Sequence, residues 1–116
     1  MKKLLIIVIA IITMSFTSDK ETKASYYGAK FHGKTTASGE IFDMYAMTAA
    51  HKTLPFGTKV QVTNPRNNKS VIVRINDRGP FIKGRKFDLS RAAFNKIASI
   101  DRGVLTIKYR IIPKGN

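Results

Sequence analysis

Short runs in which β-branched or aromatic residues alternate with polar ones, each closed by a turn signal, constrain this chain more than any other feature. Val60 and Val62 alternate within Thr58–Thr63, and Ser70–Ile75 returns from the turn cluster Asn64-Pro-Arg-Asn-Asn68, which predicts a hairpin. Asn76-Asp-Arg-Gly-Pro80 closes the second strand, because Gly79 is free to take φ > 0 and Pro80 cannot donate to a ladder. Leu105, Ile107, Tyr109 and Ile111 alternate as the expected buried face of a last strand that ends before Pro113. A further strand is expected to start within Ala24–Gly28, followed by a loop to Gly39. Ile41–Ala50 reads as a short helical turn followed by a strand. Ser90 is the expected N-cap of one helix over Arg91–Ser99, with Ala93, Phe94, Ile97 and Ala98 on one face. Short strands, frequent turns and a single small helix predict a mainly β fold, a small closed barrel in which closure removes exposed edges. The stretches after Gly57 and Gly103 look faintly alike, as in a duplicated barrel.

Lys2-Lys3 followed by the uncharged run Leu4–Met14 has the form of a secretory signal peptide and is too short to cross a bilayer. The expected boundaries are a signal peptide over residues 1–18, with cleavage as late as Ala24, a flexible lead-in over 19–24 and one domain over 25–116. The alternative is an uncleaved N-terminal anchor. An exported chain without cysteine must hold its core without disulfides, which again favours a closed β-structure. From Ser25 onward there are 17 lysines and arginines against 5 acidic residues, a net of +12. Such a surface steers toward polyanions. Behind a signal peptide, an anionic wall or membrane surface is a better partner than nucleic acid, and the bland reading is that the charge serves solubility.

The residue inventory restricts the chemistry. Two histidines, His32 and His51, and no HExxH-like spacing give no expectation of a zinc site, and none of any other cofactor. A Cys nucleophile is impossible, and no serine has a nucleophile-elbow context. Carboxylates remain: Glu40, Asp43, Asp77, Asp88 and Asp101. Asp88, between Phe87 and Leu89, is expected to be partly desolvated, which raises a carboxyl pKa and suits it to donate a proton; helix capping is the equal alternative. For Asp77 the alternatives are an Asx turn or a pair with Arg74 or Arg78, for Glu40 simple solvation, for His51 a structural role and for Asp101 a turn. Tyr26, Tyr27, Phe31, Phe42, Tyr45, Phe56 and Phe81 lie in or near turn-rich segments, where exposed rings can stack on sugars, although most are expected in the core.

Ala24-Ser-Tyr-Tyr-Gly28, Phe31-His-Gly33, Thr36-Ala-Ser-Gly-Glu40, Phe42-Asp43, Thr48–Thr58, Val60–Asn64, Val73–Pro80 and Asp88-Leu-Ser90 together, in order, resemble the rare lipoprotein A (RlpA) family of lytic transglycosylases. The resemblance implies a six-stranded double-psi β-barrel, shared with expansins, barwin and family 45 endoglucanases. It implies cleavage of the β-1,4 bond between N-acetylmuramic acid and N-acetylglucosamine in peptide-poor peptidoglycan strands, with 1,6-anhydro products. Phe87-Asp-Leu-Ser90 resembles the His-Phe-Asp-Leu motif of expansins, which makes Asp88 the general acid, while the RlpA-type motifs add Glu40, His51 and Asp77. Asp77 and Asp88 are expected as acid/base and charge stabiliser, in an order left open. Tyr27, Phe31, Asp43, Arg74 and Arg78 are the expected substrate-binding residues. Many family members are lipoproteins with a C-terminal SPOR domain; this sequence has no cysteine to lipidate and no such segment, so the expectation is an exported monomer without a stable membrane anchor. The competing reading is a non-catalytic, expansin-like wall-binding module.

Overall fold

The computed structural model describes residues 19–114, so the expected signal segment over 1–18 lies outside the described residues. Six strands, β1 (Lys20–Tyr26), β2 (Thr48–Ala50), β3 (Lys59–Asn64), β4 (Lys69–Asp77), β5 (Arg85–Leu89) and β6 (Leu105–Ile112), accompany one α-helix, α1 (Arg91–Ile97). The strands close into a barrel in the order β1-β5-β2-β4-β3-β6, with β6 returning to β1. Two pairs are parallel, β1/β5 and β2/β4, and every other neighbour is antiparallel.

The β3–β4 hairpin forms as the alternation predicts, with Val60 opposite Val73 and Val62 opposite Val71, all facing the core. Gly57 and Gly103, which precede the two similar stretches and lead into β3 and β6, both have positive φ, and those strands are barrel neighbours. Ala24, Ile75, Phe87, Leu89, Leu105 and Ile107 complete the interior, and Phe94 and Ile97 of α1 pack against it. Ser90 caps α1 as expected. Its hydroxyl accepts from the Ala93 amide and donates to the Ala46 carbonyl, so one buried side chain holds both the helix and the loop before β2.

Three expectations need correction. Residues 19–24 are not a flexible lead-in: Lys20–Ala24 pair with β6 along their whole length, and the alternation is hidden because only Ala24 among them is buried. Ile41–Ala50 contains no helix; Ile41 makes a single bridge to Thr35, and only Thr48–Ala50 is strand. Ile111 is 48% exposed, because the interior ends at Tyr109 and β6 runs on past the rim. A further strand, β5, went unforeseen because its start, Arg85-Lys86, continues a charged stretch and both partners are distant in sequence.

A chain beginning at Ser25 lacks the partners of five β6 residues, so it is expected to lose cooperative thermal unfolding by circular dichroism, whereas one beginning at Asp19 keeps it. Ser90→Ala, which removes the cap and leaves a loop carbonyl without its donor, is expected to cost about 1–2 kcal/mol in urea unfolding.

Candidate active site

The shortest strand organises the acids. In β2, Ala50 is paired on one side with Asp88 of β5 and on the other with Asp77 of β4, and Asp88 is paired in turn with Ser25 of β1. Ser25, Asp88, Ala50 and Asp77 therefore form one row across four strands. The two acids stand two strand spacings apart, roughly 10 Å at the backbone. Ala50, whose side chain is a single methyl group, is buried but lies outside the core cluster.

A bulge puts Asp77 into this row. Val71, Val73 and Ile75 face the core, so strict alternation would turn Asp77 inward as well. Opposite β2 the register skips a residue: Ala49 pairs with Ile75 and Ala50 with Asp77, leaving Asn76 as the extra one. A bulge of this kind re-aims the side chains that follow it. A second skip in the other parallel pair, between Arg85 and Phe87, precedes Asp88.

Asp88 lies on the side of β5 opposite the buried Phe87 and Leu89. Burial pushes its carboxyl pKa up to about 6, and the nearby Asp77 carboxylate adds to the rise, while a hydrogen bond from Ser25 Oγ at 3.1 Å and the charge of Arg85 oppose it. Asp88 is desolvated as expected, although Phe87 and Leu89 face away from its carboxyl, and the helix cap is Ser90 instead.

Asp77 is held as an acceptor on both oxygens. Oδ1 takes the amides of Ala37 at 2.9 Å and Arg78 at 2.8 Å, and Oδ2 takes the Tyr27 hydroxyl. Tyr27 pairs its ring with Phe42, and burial together with its bond to Asp77 drives the phenol pKa far upward, so it stays a donor. Tyr27 therefore positions Asp77, where a sugar-contacting role was expected.

The Thr36–Glu40 loop is fastened to the end of β4. Ser38 N donates to the Asn76 carbonyl, and Glu40 accepts from Arg74 on both oxygens and from Asn76 Nδ2 at 3.1 Å. Arg74, then Asn76, hold the Glu40 carboxyl below its usual range. The arrangement keeps Glu40 anionic and ties up the Arg74 guanidinium. Arg78 is committed too: it donates to the His51 and Leu54 carbonyls at 3.1 and 2.7 Å and lies over the Phe56 ring.

His51 accepts the Thr53 and Leu54 amides at Nδ1, which places the proton of the neutral ring on Nε2. Burial first, then the charges of Lys86, Arg78 and Lys52, lower its pKa, so it is uncharged at neutral pH. Asp43 accepts from the Tyr45 amide in a tight turn. Of the five expected substrate-binding residues, Phe31 and Asp43 keep exposed side chains, and only one oxygen of Asp43 is engaged among the described residues. Tyr45 and Phe81, 71% and 77% exposed, are the more available rings, and Gly79 with φ of 115° turns the chain so that Phe81 folds back beside it. Ser25 and Asn76 were missed as members of the site. Nothing local marks them, since Ser25 meets Asp88 across 63 residues and Asn76 matters through a bulge.

Beside His51 lies a cavity of about 330 Å³, lined by Thr22, His51, Lys52, Thr53, Lys83, Gly84, Arg85 and Lys86. A larger one of about 480 Å³ lies by the β3–β4 turn, at the far end of β4 from Asp77, and holds no acid. Among the described residues no three His, Cys, Asp or Glu side chains group as metal ligands would.

A family model described as lytic transglycolase matches residues 19–109. Proteins named endolytic peptidoglycan transglycosylase RlpA are similar: 57% identical over 90 residues in Vibrio cholerae, 58% over 85 in Pseudomonas aeruginosa and 52% over 92 in Neisseria meningitidis. These alignments cover 78%, 73% and 79% of this chain but 34%, 25% and 38% of the relatives, so the chain spans well under half of their length. Among solved structures, the Streptomyces papain inhibitor superposes with a TM-score of 0.67 at 27% identity, covering 83% of this chain and 96% of the inhibitor. A Clavibacter michiganensis expansin superposes with a TM-score of 0.68 at 22% identity, over 85% and 52% of the two chains, a likeness of fold alone. A barrel with this topology, and a family match that takes in β1 through the core of β6, show that the chain belongs to the lytic transglycolase family of double-psi β-barrels that includes the RlpA proteins.

Proposed function

We propose that this chain is an exported peptidoglycan lytic transglycosylase that cleaves the β-1,4 bond between N-acetylmuramic acid and N-acetylglucosamine, on peptide-poor strands, leaving 1,6-anhydro ends. It acts as a monomer and needs no cofactor. The observation that carries this reading is the acid row: Asp88, protonated up to about pH 6, stands beside Asp77 across the small Ala50. Ordinary glycoside hydrolysis uses two carboxylates and a water. A transglycosylase needs less, because the sugar's own C6 hydroxyl is the nucleophile.

In the proposed cycle Asp88 gives its proton to the glycosidic oxygen as the bond to the anomeric carbon breaks. The C6 hydroxyl then closes on that carbon and returns its proton to Asp88, so no water is consumed and the acid is restored. Asp77, its oxygens fixed by Tyr27, Ala37 and Arg78, supplies negative charge toward the developing oxocarbenium ion. Glu40, kept anionic by Arg74, adds to that field but has no proton to give. His51 shapes the loop that follows β2. Tyr45, Phe31 and Phe81 offer exposed faces for sugar rings.

Incubation with peptide-free glycan strands should yield 1,6-anhydromuramoyl ends by mass spectrometry; reducing ends, or intact strands, would refute the assignment. If Asp88 is the acid, kcat/KM should fall about tenfold per pH unit above its pKa of about 6, and a profile flat to pH 8 would remove Asp88 from that role.

Asp88→Asn should abolish turnover and yet stabilise the fold at pH 7.5. A displacement from 3.8 to about 6 corresponds to on the order of 3 kcal/mol against the charged form. Between those values the folded chain binds the proton more tightly than the unfolded one, so stability falls as pH rises through the window. The rise in Tm should therefore appear at pH 7.5 and vanish near pH 3, where Asp88 is protonated in both states.

A further inference from the structure

The cavity beside His51 has a lining unlike the rest of the site. Lys52 follows β2, Lys83 precedes β5, and Arg85 and Lys86 are its first two residues, so four cations from two segments face about 330 Å³ of open space with no carboxylate in its wall. Among the described residues the ion pairs are Arg74–Glu40 and Arg110–Asp19, which leaves these four without an acidic partner. Cations gathered without partners repel one another, and that repulsion is relieved when an anion enters. Thr22 and Thr53 supply hydroxyls to the same wall.

The cavity adjoins the acid row. Lys86 and Arg85 lie two and three residues along β5 from Asp88, about 7–10 Å at the strand repeat, and His51 follows Ala50 directly. The charge of Arg85 is felt at Asp88, and those of Lys86 and Lys52 at His51. A group bound here would sit next to a sugar whose linkage lies over Asp88.

We infer that this cavity is a carboxylate subsite, in which Lys52, Lys83, Arg85 and Lys86 bind the free lactyl carboxylate of a muramic acid residue. The inference rests on the glycan-cleaving reading above and extends it to specificity. Of the two sugars in the strand, muramic acid alone carries an acid, and that acid is free only where no stem peptide is attached. Amide formation with a peptide removes the charge and adds bulk at the same atom. A four-cation pocket therefore discriminates by charge between peptide-free and peptide-bearing strands.

The test separates binding from cleavage. The full chain carrying Asp88→Asn is titrated calorimetrically with three ligands: a peptide-free muramic acid–glucosamine tetrasaccharide, the same tetrasaccharide bearing stem peptides, and uncharged chitotetraose. The peptide-free ligand should bind tightest, with an affinity that weakens as salt is added. Adding Lys83→Gln and Lys86→Gln should lower the ratio of its affinity to that of chitotetraose about tenfold, the worth of roughly one hydrogen bond to a charged group, with thermal melts confirming that the variant is folded. An unchanged ratio, equal affinities for the three ligands or no binding of the peptide-free ligand overturns the subsite. Failure of the unaltered chain to cut a strand that it binds with this preference would overturn the enzymatic reading and leave the subsite standing.

Discussion

The pairing of Ala50 with both Asp77 and Asp88 is the constraint on which the site depends. β2 is three residues long, yet it lies between β4 and β5 and sets the register of both. Its backbone hydrogen bonds hold the acids of two strands that are consecutive in the chain but not paired with each other, Asp77 of β4 and Asp88 of β5, in one row. The bulge at Asn76 is part of the same device. Without it, the alternation that buries Val71, Val73 and Ile75 would carry Asp77 into the core, where an unpaired carboxylate is very costly. The extra residue turns Asp77 outward and leaves Asn76 to donate to Glu40.

Around this row the two acids are treated in opposite ways. Asp77 receives three donors, and Asp88 receives one and is otherwise desolvated. A hydrogen-bonded carboxylate next to a desolvated one is how a pair of like groups is divided between holding charge and moving a proton. Tyr27 and the Thr36–Glu40 loop serve that division: residues with the appearance of substrate contacts spend their polar atoms fixing Asp77 and Glu40. The free surface lies farther out, on Tyr45, Phe81 and the cationic cavity beside His51.

The strands with their own alternation were legible: β3, most of β4 and β6 follow Val60/Val62, Val71/Val73/Ile75 and Leu105/Ile107/Tyr109, and α1 follows its capping serine. β5 and the first part of β1 were not, because charged residues dominate both and their partners lie far along the chain. The same division holds within the site. Phe87 and Leu89 marked Asp88 as lying in a buried segment, although their side chains face the core and Asp88 faces the other side of β5. The commitments of Tyr27, Arg74 and Arg78 gave no local sign, since each is made to a residue 24 to 50 positions away.

The sequence by itself determined that this is a small, disulfide-free, closed β-structure, strongly basic, with few acids to carry chemistry, because composition and period-two alternation are local properties of the chain. Only the tertiary structure decided which acids share a row, which of them is hydrogen-bonded on both oxygens and which desolvated, and that four cations line one cavity without a salt-bridge partner. Those outcomes depend on strand register, on a one-residue bulge and on burial, all set when segments far apart in the chain close the barrel.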